Sequence, residues 1–186
     1  MVAILSVPIS DGNYDSKANF ISTIRNSIPV SDILSSVDER CIKMVLSHNK
    51  DFYYAWGLNS GGFYDNNSYN INTNSGKYNM VKPGDRIVFY GTNPLRLLFS
   101  GTIIAKTVNK NRNKITNRWR CNNKQSYELL FIIDDGKEYN LALTEEDLGV
   151  DTDFIKWLNR GSKYLDSNAY NSGQRKIYES FREYTD

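Results

Sequence analysis

Between Ala105 and Lys124 the chain places Lys106, Lys110, Arg112, Lys114, Arg118, Arg120 and Lys124 with no acidic residue, and Trp119 sits inside that run. Cations along a loop release the counterions condensed on phosphates, while an indole face stacks on an unpaired base for roughly 1–3 kcal/mol. Together they are the chemistry of a nucleic-acid surface. Asn109, Asn111, Asn113 and Asn117 interleave the run, and such a mixture is also the composition of a solvated hairpin loop. The loop therefore has two readings, one facing a ligand and one facing water.

Other chemistries find less support. Cys41 and Cys121 lie far apart and outside any CxxC spacing, so both read as free thiols, and the single histidine, His48, reads as the end of a secondary-structure element rather than a ligand. No metal site and no cofactor is expected. Asp134, Asp135 and Glu138 cluster, but Glu138 is followed by Tyr139 and Asn140, where a metal-dependent nuclease would need a lysine two residues on to activate water. Gly57, Gly61 and Gly62 open no helix, which excludes a phosphate cradle of the Walker or dinucleotide type. No stretch is long and apolar enough for a membrane span, and the N-terminus lacks a charged leader, so a cytoplasmic protein without membrane contact is expected.

The elements that must position these groups follow from patterning. With 186 residues and 40% hydrophobic content, one core and one domain over 1–186 are expected. The net charge of +2 hides a segregation of signs, because acids from Asp134 to Asp153 follow the basic run. Val2 to Val7 reads as a buried strand ended by Pro8 and an Asp11-Gly12-Asn13 turn. A helix capped by Asp15 or Ser16 follows, with Ala18, Ile21, Ile24 and Ile28 at helical spacing as far as Pro29. Ser31 to Val37 suits a short helix, and Cys41 to Ser47 suits either its continuation or a strand. Phe52 to Gly57 reads as a strand, and the Gly/Asn/Ser/Tyr-rich stretch to Asn79 as a long loop.

Val81 to Tyr90 reads as a Pro-Gly turn feeding a strand, and Leu97 to Thr107 as a second strand with a bulge or close approach at Gly101. Tyr127 to Ile133 is a third, ended by an Asp134-Asp135-Gly136 turn with Tyr139 to Leu143 returning. Helices are expected near Thr144, over Asp153 to Leu158 with Trp157 in the core, and over Arg175 to Tyr184. The predicted architecture is α+β, a curved sheet or partial barrel with its core over about 40–145 and a helical part over 146–186.

The stretch Val81-Lys82-Pro83-Gly84-Asp85-Arg86-Ile87-Val88-Phe89-Tyr90, followed by Phe99-Ser100-Gly101-Thr102-Ile103, resembles the signature of the PUA-like superfamily, particularly its EVE and YTH branches. Those pseudo-barrel domains accept a modified base in an aromatic cage. Trp56 and Trp119 stand where YTH domains carry two cage tryptophans, although Trp56-Gly57-Leu58 replaces the family's Trp-Ser-Thr. The resemblance extends to the N-terminal DNA-reading domains of McrB-like restriction systems, which implies a methylated-DNA reader partnered by a GTPase motor and a nuclease located elsewhere.

What the resemblance implies for this chain is a cage of Trp56 and Trp119, with Tyr54, Tyr64 and Phe99 competing for a third place. Asn59, Ser60 or a backbone group near Gly57 would read the base edge. Lys106, Lys110, Arg112, Lys114, Arg118 and Arg120 would meet phosphates. Methylated adenine stands slightly ahead of methylated cytosine as the base read, and RNA remains an alternative partner. A nuclease or base-modifying enzyme, and a protein-interaction module built on the Tyr/Asn-rich loop, are the rival classes.

Overall fold

The computed structural model describes residues 2–10, 14–61, 64–109, 113–119, 127–168 and 171–186. Strands β1 (Ile4–Ile9), β2 (Ile28–Pro29), β3 (Phe52–Leu58), β4 (Arg86–Thr92), β5 (Leu95–Val108), β6 (Leu129–Ala142) and β7 (Lys163–Leu165) form a single sheet, ordered β2-β3-β6-β5-β4-β1-β7. β1 runs parallel to β4, and the other pairings are antiparallel. The α+β class is as expected. The sheet draws β1 and β7 from both sides of the 40–145 span.

The sheet is rolled. β3 and β4 are separated by β6 and β5, which at about 4.8 Å per strand would hold them some 14 Å apart in a flat sheet. Yet the Trp56 and Phe89 rings meet edge to face at 5.1 Å. Side chains of β1, β3, β4, β5 and β6 therefore share one inner core around Phe89, Phe99 and Phe131, closed by Phe20 and Ile24 on one side and by Tyr78 and Val81 on the other. Such a roll needs bulges, and the β5–β6 register shifts three times. At Gly101, beside one shift, a Cβ would meet Ile133 Cγ2 at 2.5 Å.

The outer face is covered in two halves. α2 (Val30–Leu34) and α3 (Glu39–Ser47) pack Ile33, Cys41 and Val45 against Tyr53, Ala55, Leu130 and Ile132. α5 (Glu145–Leu148), α6 (Thr152–Leu158) and α7 (Ser172–Thr185) pack Leu148, Leu158 and Phe181 against Val88, Tyr90 and Leu97. The Cys41–Ser47 ambiguity resolves as helix because Asp38 caps it, accepting from the Cys41 N–H at 2.8 Å. A full capping box at Thr144 and Asp147 starts α5.

Four expectations are corrected. Pro8 lies inside β1; β7 pairs only Ile4 to Ser6, so no ladder bond needs the N–H that proline lacks. α1 (Tyr14–Phe20) passes into a π-helical turn over Ile21–Arg25 and ends there, leaving Ile28 in β2. The Asp134-Asp135-Gly136 turn is a bulge inside one continuous β6. Pairing moves from Thr102↔Asp134 to Ser100↔Lys137, and Asp135 takes a φ of 50°. Asp and Gly tolerate the left-handed region in bulges as well as in hairpins. Last, the Asn/Tyr-rich stretch holds α4 (Asn74–Met80), started by Thr73 accepting from Gly76 N–H at 3.0 Å. The expected Asp11-Gly12-Asn13 turn lies outside the described residues.

Candidate nucleic-acid interface

Where β3 leaves the sheet beside the end of β1, a cleft of about 440 Å³ opens, within the usual size of ligand sites. Trp56, Gly57, Leu58 and Asn59 form one wall, Asn74 and Lys77 of α4 a second, and Tyr127 lies before β6. Pro8 of β1 and the turn of Arg160, Gly161 and Ser162 between α6 and β7 complete it. Trp56 points inward with Tyr54 and Leu58, as alternation along β3 requires. Phe89 and Trp119 grip its ring at 5.1 and 6.4 Å, and its remaining exposed surface, about 6%, borders the cleft.

The loop after β3 is held rigidly. Asn74 Nδ2 donates to Asn59 O at 2.6 Å, Gly61 N–H donates to Asn59 Oδ1 at 2.6 Å, and both the N–H and the hydroxyl of Ser60 donate to the buried Glu128 carboxylate. Lys77, only 7% exposed, donates from Nζ to Asn74 Oδ1 at 3.2 Å. Burial holds its ammonium below the ordinary lysine pKa. Lys163 lies close by, its ammonium 5.0 Å over the Trp157 ring and donating to Gly161 O at 3.0 Å. Burial, with repulsion from Lys77 and Arg160, brings its pKa down to about 8. Among the described residues no carboxylate forms an ion pair with Lys77, Arg160 or Lys163.

The expected site residues are redistributed. Trp119 does not line the cleft. Its indole is buried with the α2–α3 core, donates from Nε1 to Thr23 Oγ1 at 2.8 Å, and packs so closely on Gly57 that a Cβ there would sit 2.8 Å from the ring. Polar sequence neighbours misled the reading, because Ile115 and Thr116 turn the chain inward through a single 3₁₀ turn at Thr116–Arg118. Tyr54 packs on Phe99 at 5.0 Å and Tyr64 on Tyr78 at 5.8 Å, so neither stands with Trp56 at the cleft. Asn59 lines the cleft, and Ser60 braces it from behind.

Of the expected phosphate contacts, Lys106 donates to the carbonyls of Tyr78 at 2.6 Å and Val81 at 2.6 Å, and lies 4.7 Å over the Tyr78 ring. Burial brings its pKa down to about 8. Arg118 and Lys114 converge on Asp32 at 2.6 and 3.4 Å, and hydrogen bonding from Arg118 above all holds that carboxyl below its usual range. Lys110, Arg112 and Arg120, like Cys121, lie outside the described residues.

The acids expected to line a turn have a different task. Asp134, buried, is held by Lys50 at 2.6 Å and His48 Nδ1 at 3.1 Å. Burial alone would raise its pKa, and these partners together with the Asp135 N–H outweigh that and lower it. Cys41 is free, and burial pushes its thiol up to about 12. Sequence reasoning missed Asn74, Lys77, Tyr127, Arg160 and Lys163. Only Thr73, three residues before Gly76 and followed by a Lys-Tyr pair, hinted at α4, and nothing local marked the lysines as neighbours.

No family model matches the sequence, and no curated protein does. At the level of structure the chain is similar to a solved domain bound to m5C DNA, with a TM-score of 0.62 and 13% identity over 98% of this chain and 99% of that one. The rolled sheet with its two helical covers is therefore the fold of that domain, the N-terminal domain of Thermococcus gammatolerans McrB.

Proposed function

We propose that this chain binds DNA carrying a methylated base, taking the base out of the stack into the Trp56 cleft without acting on it chemically. The observation that carries the reading is one cleft lined by an indole together with Lys77 and Arg160, with Lys163 close enough to repel both, cations for which the described residues supply no carboxylate. A phosphate backbone is the polyanion that such a site lacks. Extruding a base costs a few kcal/mol; contact with the exposed edge of Trp56 and with Tyr127 would offset part of it, and burying a methyl group would add on the order of 1 kcal/mol of discrimination. Asn59 and Asn74 line the cleft where a base edge would be read, and Tyr127 lies beside Gly57 on the β3 wall.

The similar domain is bound to m5C DNA, which makes methylated cytosine, rather than methylated adenine, the first base to test. We further take the role to be that of a specificity module, with the GTPase motor and the nuclease of a restriction system supplied by other parts of the assembly. The test is a panel of otherwise identical oligonucleotides, duplex and single-stranded, DNA and RNA, unmodified or methylated on cytosine or adenine, titrated against the wild type and Trp56→Leu. Preference for one methylated DNA, lost in the variant while it stays folded, is the expected result. Equal affinity for all members, or turnover of any of them, would overturn it.

A further inference from the structure

A second cleft, of about 420 Å³, lies on the other side of α1. Ile9, Phe20 and Leu98 give it an apolar floor, and Arg25 and Arg96 line it with no carboxylate among the described lining residues. The two clefts share a wall: Ser10 and Ser16 face the Trp56 cleft, while their chain neighbours Ile9 and Lys17 face this one. Arg96 has a defined unmet need. Its Nη1 is held by Asn140 Oδ1 at 2.6 Å, but its Nε is enclosed and has no hydrogen-bond partner among the described residues. An enclosed guanidinium N–H without an acceptor is costly, and an anionic oxygen is its natural complement.

We infer that this second cleft binds backbone phosphates of the same DNA, one helix-width from the extruded base, so that α1 lies beneath the duplex and Arg25 and Arg96 anchor it. The inference rests on the reading that a base enters the Trp56 cleft. The spacing supports it: a helix with its side chains is about 10–12 Å across, and duplex DNA carries one charge per about 1.7 Å of axis. A duplex engaged at one cleft therefore brings several phosphates over the other. Apolar Ile21, 44% exposed beside Arg25, would lie against the sugars.

The test measures affinity against salt for two probes, a 20-base-pair methylated duplex and a four-nucleotide single strand with the same central base. Arg25→Gln with Arg96→Gln should weaken the duplex about tenfold and make the slope of log affinity against log salt shallower by about 1–2, at roughly 0.9 per phosphate. The short strand should bind unchanged. Arg25→Glu, on an exposed side chain, repeats the test should the double variant fail to fold. An unchanged duplex slope in a folded variant overturns the inference, as does equal weakening of both probes. Trp56→Leu separates the two ideas: if it leaves both affinities intact while the arginine variants flatten the slope, the base reading falls and the phosphate site stands. Wild type that binds neither probe overturns both.

Discussion

Two regions of the molecule combine a tryptophan with cations, and they differ in what already answers the positive charge. Among the described residues of 106–119 the cations are spoken for: Lys106 by backbone carbonyls and Lys114 and Arg118 by Asp32, while Trp119 is held by Thr23 and the core. At the end of β3, Lys77 and Arg160 line one cleft, Lys163 lies near enough to be repelled by both, and burial lowers the proton affinity of both lysines. Density of charge along the chain selects the first region. Charge left uncompensated in space selects the second, and this is the property a polyanion senses.

The sharpest way to break the comparison is Trp119→Ala. A buried, hydrogen-bonded indole replaced by a methyl group should cost about 3–5 kcal/mol of stability in urea unfolding. A variant as stable as wild type would return Trp119 to the surface and to the cage. Next in size, Lys77→Met should lower affinity for the methylated oligonucleotide about 10- to 100-fold, as loss of a charge-assisted contact worth about 1.5–3 kcal/mol does. Lys114→Gln with Arg118→Gln should change it less than about threefold. If the pair ranks the other way, the basic stretch is the interface.

A pH series sharpens the same contrast. Lys163 has a folded pKa of about 8, below its unfolded value, so the unfolded chain holds the extra proton between them. From its contribution, stability of the free protein should rise from pH 8 toward 10, while affinity for DNA, which needs the ammonium, falls over the same range. Lys163→Met should make both curves shallower, leaving in the stability curve the contribution of Lys106, whose pKa also lies at about 8, and affinity that stays constant from pH 7 to 10 would contradict the assignment. The smallest effect belongs to Glu138→Gln. This exposed carboxylate should change stability by less than about 0.5 kcal/mol, with no strand cleavage by either form in the presence of Mg²⁺ or Mn²⁺.

The sheet was legible where apolar alternation carries it: β3, β4 and β5 were placed within a few residues, and Gly101 was read as a close approach because a missing side chain mid-strand has few other uses. Trp56 was expected from the resemblance as a cage residue and from its strand-end position as a core residue, and the structure places it in the inner core with one edge at the cleft. The β6 bulge was not, because Asp-Gly serves both a bulge and a hairpin, and only the Lys50 and His48 partners of Asp134, more than eighty residues away in sequence, distinguish them. Nor was α4, whose helix rests on a Thr73 cap rather than aliphatic periodicity. The cleft's cations, Lys77 and Arg160, come from α4 and from the turn before β7, and no local pattern announces that two distant cations will share one mouth.

The grip of Lys106 on the Tyr78 and Val81 carbonyls reaches beyond its own strand. It staples the end of the helix that delivers Asn74 and Lys77, so a β5 side chain sets the depth at which those two groups meet a ligand. In a neutralisation scan of every basic residue, Lys106→Gln is expected to score as a binding defect because its ammonium, committed to the Tyr78 and Val81 carbonyls, holds α4 in place. Its signature will be a salt dependence unchanged from wild type, the opposite of what a true phosphate contact leaves behind. A scan read by affinity alone would redraw the interface around the wrong strand, and one read by slope would not.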